Sequence, residues 1–140
     1  MKKTILFFFI LNFSYHSYSQ NFKKDSAYIK DLKFYMKEKL ESNIEGVSFN
    51  GDVLGKSLYT VLSVNFPATE KSELLLFNLD INNICASGGS ACSSGVVAGS
   101  HVIAALYNNK LNAITVRFSF SKYNTKEEID TVIEALKKLI

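Results

Sequence analysis

Cys92 stands in the run Gly88-Gly89-Ser90-Ala91-Cys92-Ser93-Ser94-Gly95, where small residues predominate and no bulky side chain is at hand to pack over its sulfur. Backbone N–H groups in such a loop can stabilise a thiolate, the form of cysteine that acts as a nucleophile. A mobile or exposed stretch of small residues also lets one sulfur receive a group in one place and deliver it in another; an ordinary loop thiol is the plainer alternative. Cys85, with six residues between it and Cys92, lies in Ile84-Cys85-Ala86-Ser87, an apolar strand-like context that predicts a small buried hydrophobe. In an exported chain the two could instead form a disulfide, provided their Cα atoms approach within about 7 Å. Two cysteines and a distant His101 fall short of the four ligands of a structural zinc site, so no metal is expected. Arg117 is the single arginine beside fifteen lysines and interrupts the alternating run Ile114 to Phe120. Its planar fork suits a bidentate grip on a carboxylate, or else a structural ion pair with a nearby acid. His101 opens a predicted helix, where capping or packing competes with acid–base work. There is no Gly-Lys-Ser/Thr ending for a P-loop and no Gly-x-Ser-x-Gly elbow.

The elements that must position these residues follow from hydrophobic spacing. Ile29, Leu32, Met36 and Leu40 recur every three or four residues and predict an amphipathic helix from Ser26 to Asn43, capped by Asp25 or Ser26. Gly46 to Asp52 reads as a short strand ending in an Asn-Gly-Asp turn, and Ser57 to Phe66 as a strand closed by Pro67. Thr69 can cap a helix carrying Leu74 to Leu79, which is apolar on more than one side and so expected to be covered on more than one side; Asp80 to Asn83 should stop it. Ile84 to Ser87 is a brief strand candidate, Ser100 a cap for a helix over His101 to Tyr107, and Ala113 to Phe120 a strand. Thr125 with Glu128 three residues later is a capping box, opening a helix whose buried stripe is Ile129, Val132, Ile133, Leu136 and Leu139. This order predicts an α/β two-layer arrangement with helices packed on one side of a small sheet.

The chain has 140 residues, 47% hydrophobic and 21% charged, which suits one folded domain and excludes a TIM barrel or a two-lobed cofactor enzyme. Lys2 and Lys3 account for most of the formal charge of +3, so no nucleic-acid footprint is present. Residues 1 to 20 match the charged, apolar and small-residue regions of a secretory signal peptide, with Ser17-Tyr18-Ser19 as cleavage triplet. The apolar run from Thr4 to Phe13 is too short for a roughly 30 Å hydrocarbon core. A buried amino-terminal element is the alternative. The folded domain is assigned to residues 21–140.

The segment Ile84 to Gly95 resembles the active-site cysteine loop of cysteine desulfurases, and Thr60 to Phe66, Val116 to Ser119 and Tyr123 to Asp130 resemble that family's carboxy-terminal segment in the same order. The resemblance implies the two-layer small domain of the fold-type-I, pyridoxal phosphate (PLP)-dependent class V aminotransferases. It also implies conversion of L-cysteine to L-alanine, with sulfur left as a persulfide on Cys92 and passed to an iron–sulfur scaffold or a thiolation protein. Arg117 falls on the family's carboxylate-holding arginine. Cys85 falls where the family requires no cysteine and keeps its structural reading. The PLP lysine, its pyridine-nitrogen aspartate and its stacking histidine have no counterparts, since the family carries them in an upstream large domain. The expectation is a truncated or split form that binds no PLP alone and is enzymatic only if an upstream large domain is supplied by another chain, with a large-domain chain or a homodimer as the expected association. A PLP-free persulfide carrier and an exported, disulfide-stabilised interaction domain remain open beside it. The family's reducing, cytoplasmic setting conflicts with the signal-like start.

Overall fold

The computed structural model describes residues 4–89, 101–108 and 112–140, with side chains from residue 21. Strand β2 (Val61–Pro67) forms the centre, paired antiparallel to β1 (Ser48–Phe49) on one side and to β3 (Ala113–Ser119) on the other. The β2–β3 register runs from Val61 opposite Ser119 to Pro67 opposite Ala113. Alternation then sends Leu62, Val64 and Phe66, with Val116 and Phe118, to one face, where all are buried. Helices α1 (Thr4–Asn43), α2 (Leu75–Ile81) and α4 (Lys126–Leu139) supply the other half of that core through Leu32, Met36, Leu40, Leu75, Leu79, Ile133 and Leu136. This is the expected two-layer α/β architecture. The remaining short helix, α3 (His101–Leu106), has no buried residue, and Tyr107 just beyond it reaches the opposite, polar face of the sheet.

Several boundaries differ from the sequence expectation. Helix α1 does not start at Asp25 or Ser26 but passes through them: Ser26 Oγ donates back to the Lys23 carbonyl at 2.9 Å and Asp25 accepts from Lys122 at 3.1 Å. Its 40 residues extend about 60 Å, and among those whose side chains are described, from residue 21 on, the first buried one is Ile29. Strand β2 begins at Val61 rather than Ser57, because Ser57 Oγ and the Leu58 carbonyl are taken by the Lys33 ammonium at 2.8 and 3.0 Å. Thr69 does not cap α2: its Oγ1 accepts from the Ser72 N–H at 3.2 Å, at the start of a 3-10 turn, Ser72–Leu74, that precedes α2. Helix α2 is sealed on one side only: Leu75 and Leu79 are fully buried, whereas Leu74, Phe77 and Ile81 are 58%, 60% and 62% exposed. It stops where expected, with Asn83 in the left-handed region at φ 58°. The expected strand at Ile84 to Ser87 reduces to one antiparallel bridge between Ser87 and Arg117. The Ser100 cap lies outside the described residues.

Helix α4 opens as its residues dictate. The Glu128 N–H donates to Thr125 Oγ1 at 3.3 Å, and the Thr125 N–H donates to Glu128 Oε2 at 3.1 Å, a reciprocal capping box. The Asn124 amide donates to the same carboxylate at 3.0 Å and, with the Thr125 N–H, holds Glu128 below the usual carboxylate range. A carboxylate so lowered contributes stability that is complete above its ordinary range and is lost as pH falls through the lowered value. We expect Thr125→Ala to cost about 1 kcal/mol in denaturant unfolding at neutral pH. Glu128→Gln should flatten the acid limb of the stability curve; an unchanged limb would contradict this role.

Candidate functional site

The sheet face away from the helices is polar. Ser63 and Asn65 of β2 and Thr115 and Arg117 of β3 share it, since each lies two residues from the next along its strand and the pairs Ser63–Arg117 and Asn65–Thr115 are in register. Asn65 is 1% exposed there and fully occupied. Its Oδ1 accepts from Asn50 Nδ2 at 2.8 Å and Thr115 Oγ1 at 2.7 Å, and its Nδ2 donates to Asn50 Oδ1 at 2.9 Å. Asn50 also donates to Ser63 Oγ at 3.0 Å. A buried amide with every hydrogen-bonding site engaged is stable where a half-satisfied one would be costly.

Arg117 stands beside this network without joining it. Its side chain is exposed and has neither an ion pair nor a hydrogen bond among the described residues, so the structural ion-pair alternative is not what holds it. Its backbone is fixed on both sides: it pairs with Ser63 across β2, and at the other edge its N–H donates to the Ser87 carbonyl at 2.7 Å while its carbonyl accepts from the Ser87 N–H at 3.1 Å. That bridge ties the entrance of the small-residue loop to the arginine. Gly88 follows in a tight gap, where a Cβ would lie 2.4 Å from the end of the Leu76 side chain, which would have to shift, and 3.1 Å from the Thr115 carbonyl. Gly89 takes a positive φ of 62°. Both glycines are half-buried; Cys92 and the remainder of the loop lie outside the described residues.

Cys85 corrects its expectation. The turn at Asn82-Asn83 sends Ile84 into the core and Cys85 outward, so the thiol is free and exposed rather than a buried packing group. It lines an open cavity of about 530 Å³ with Phe118, Phe120, Asn124 and Glu128. The sequence signal for this was the period-2 alternation after Ile84, which allows only one of two neighbours inward. His101 is exposed at the start of α3. No three metal-ligating side chains gather among the described residues.

The lysines bear on any cofactor. Lys33 is the one buried lysine among the described residues, and burial lowers its pKa against the opposing pull of Asp52. Its ammonium is committed to Ser57 and Leu58. Lys39 and Lys126 lie over the Tyr35 ring, 5.1 and 5.0 Å from its centroid, and pair with Asp130 and Asp31 at 3.0 and 2.8 Å. None of the three strands carries a lysine. No strand residue beside Arg117 is therefore a lysine through which PLP could be held.

A family model described as aminotransferase class-V matches residues 9–132. The chain belongs to the class-V aminotransferase family. Among curated relatives, the cysteine desulfurase IscS of Pseudoalteromonas translucida is 34% identical over 122 residues, covering 86% of this chain and 29% of that protein. The mitosomal cysteine desulfurase of Encephalitozoon cuniculi is 34% identical over 126 residues, covering 86% and 28%. A NifS-like protein from Rickettsia africae superposes with a TM-score of 0.61 at 24% identity, over 86% of this chain and 30% of that one. A second NifS-like structure gives 0.66 at 22%, which shares the fold. The class-V match begins within the signal-like segment and α1 crosses residue 20 without a break. The chain spans less than a third of the length of the curated relatives it matches. Class-V aminotransferases are PLP-dependent.

Because the Arg117 side chain is exposed and makes no hydrogen bond or ion pair among the described residues, Arg117→Ala should shift unfolding free energy by less than about 0.5 kcal/mol. Iodoacetamide should label Cys85 in the folded chain without denaturant; protection of Cys85 would place its thiol elsewhere.

Proposed function

We propose that this chain supplies the carboxy-terminal, sulfur-handling part of a cysteine desulfurase, competent when a lysine-bearing large domain provides PLP. The observation that supports this most is Arg117, exposed on the polar face with no side-chain partner among the described residues and with Ser87 bridged to its backbone. Cys92 follows Ser87 by five residues, a contour of at most about 18 Å. In this reading the Arg117 guanidinium holds the carboxylate of L-cysteine by a bidentate, charge-assisted pair. The Cys92 thiolate attacks the substrate sulfur, the substrate C–S bond breaks with its electron pair going to carbon, and that carbon takes up the proton from the substrate thiol. The products are L-alanine and a Cys92 persulfide that still carries one negative charge. The persulfide then passes its outer sulfur to an acceptor such as an iron–sulfur scaffold or a thiolation protein. PLP, where it is bound, supplies the electron sink that this chain's own residues do not.

The lack of a strand lysine favours a second reading, a PLP-free carrier in which Cys92 accepts sulfur from a complete desulfurase. The two part in one experiment. The chain is mixed with cysteine, alone and with a PLP-loaded large-domain fragment of a cysteine desulfurase, and alanine and sulfide are followed. Release should require the mixture and vanish with Cys92→Ser, while Arg117→Ala should raise KM for cysteine about tenfold or more. Turnover that survives Cys92→Ser, or a borohydride-reducible PLP adduct on a lysine of the chain alone, would overturn the proposal. A persulfide appearing on Cys92 only when a complete desulfurase is added would favour the carrier.

A further inference from the structure

One row of side chains crosses the polar face from edge to edge. The β1–β2 register sets Ser48 opposite Asn65 and Phe49 opposite Val64, so Asn50 stands opposite Ser63, and its N–H donates to the Ser63 carbonyl at 3.0 Å. Ser63 in turn pairs with Arg117, and Arg117 with Ser87. Because Ser87 takes both backbone groups of Arg117, the Ser63–Arg117 pair is of the non-hydrogen-bonded kind, with Cα atoms about 4.5 Å apart and the side chains close together. The row therefore reads Asn50, Ser63, Arg117, Ser87.

Its hydrogen-bonding capacity is uneven. Asn50 is committed: its Oδ1 accepts from Asn65 and Tyr107, and its Nδ2 donates to Asn65 and Ser63. Half-buried Ser63 thus receives a hydrogen bond at 3.0 Å from the β1 side, while its own O–H has no acceptor among the described residues. A hydroxyl whose oxygen is engaged on one side keeps its proton for the other, and on that other side stands Arg117. The groups left over between these two residues are all donors, the Ser63 hydroxyl and the five guanidinium N–H bonds. Neither the three strands nor residues 84–89 carry an aspartate or a glutamate. Donors without acceptors select an anion.

We infer that Ser63 is a second anion-binding residue of this face, donating its Asn50-oriented hydroxyl to a carboxylate that Arg117 grips. A guanidinium can meet a carboxylate end-on, through its two Nη groups, or side-on, through Nε–H and one Nη–H. The end-on pair leaves the anion beyond the tip of the side chain. The side-on pair lays it beside the stem, above the cross-strand neighbour, and that neighbour is Ser63. The ligand class is a small planar carboxylate, whose two oxygens match two parallel N–H bonds and keep a further lone pair for the hydroxyl. In the proposed desulfurase this carboxylate is that of L-cysteine, and only that identity rests on the proposed function.

Arg117 is the single arginine, so the chain has one Nε–H cross-peak to follow in a proton–nitrogen correlation spectrum. Titration of the full chain with propionate should move that peak saturably, whereas propionamide, of the same shape without the charge, should not. Ser63→Ala should weaken propionate binding about fivefold or more. Ser63→Thr, which keeps the hydroxyl on a good strand former, should stay within about twofold of the unaltered chain. The backbone amide peaks of β2 and β3 report in the same spectra that both variants keep their register. Absence of a saturable shift, equal affinity in Ser63→Ala, or tighter binding of inorganic phosphate than of propionate would overturn the inference. The titration needs neither PLP nor turnover. Ser63-dependent propionate binding in a chain that no large domain activates would sink the desulfurase reading and leave this one standing; cysteine turnover with Ser63-independent propionate binding would do the reverse.

Discussion

The antiparallel register of β2 and β3 governs everything else in the domain. Seven residue pairs fix which side chains share a face, and a slip of one residue would turn Leu62, Val64 and Phe66 outward and Asn65 inward. That slip is prohibited twice over. The apolar face is sealed by α1, α2 and α4, and the polar face carries the Thr115 Oγ1 to Asn65 Oδ1 hydrogen bond, which joins two residues that stand opposite each other in this register. Each large apolar side chain left in water would cost about 1.5–3 kcal/mol, and a buried amide stripped of its partners a further few. Arg117 and the Ser87 bridge inherit their placement from this register.

Much of the architecture was legible because it was written in short-range patterns. The capping box at Thr125 and Glu128, the stripe on α4, the alternation of β3 and the stop at Asn82-Asn83 are all local, and the fold uses them as they stand. The misreadings share a cause. The start of α1 depended on whether Asp25 and Ser26 would find better partners than a helix end, and Lys122 and the Lys23 carbonyl provided them. The start of β2 depended on Lys33, which reaches from another element to claim Ser57 and Leu58. Cys85 was misplaced because an apolar neighbourhood says that something is buried without saying which of two alternating residues it is.

The polar face was the least legible part. Asn50, Asn65, Thr115 and Tyr107 come from four separate stretches, and none has a neighbour in sequence that announces a hydrogen bond. Asn65 sits in a run of strand formers where an amide reads as a weak strand residue. Its near-complete burial is intelligible only once β3 and the segment after α3 are in place. A polar residue at the centre of an otherwise apolar strand was the one available hint, and it points to a satisfied network more often than to a ligand.

Arg117 differs from these residues in kind. The network amides are held by the fold and hold it in return, whereas the guanidinium of Arg117 is exposed and bonded to no described side chain. Water satisfies its five donors at little cost to the isolated domain. A lysine, of which the chain has fifteen, would serve solubility equally well. What arginine adds is a rigid planar fork, and that geometry acquires value only against a planar anion held in register with it. The fold supplies the register by clamping the Arg117 backbone between Ser63 and Ser87, while its fork makes no hydrogen bond or ion pair with a described residue. A guanidinium fixed at its base by the strands and exposed at its tip is thus the part of this face that the described fold leaves uncommitted.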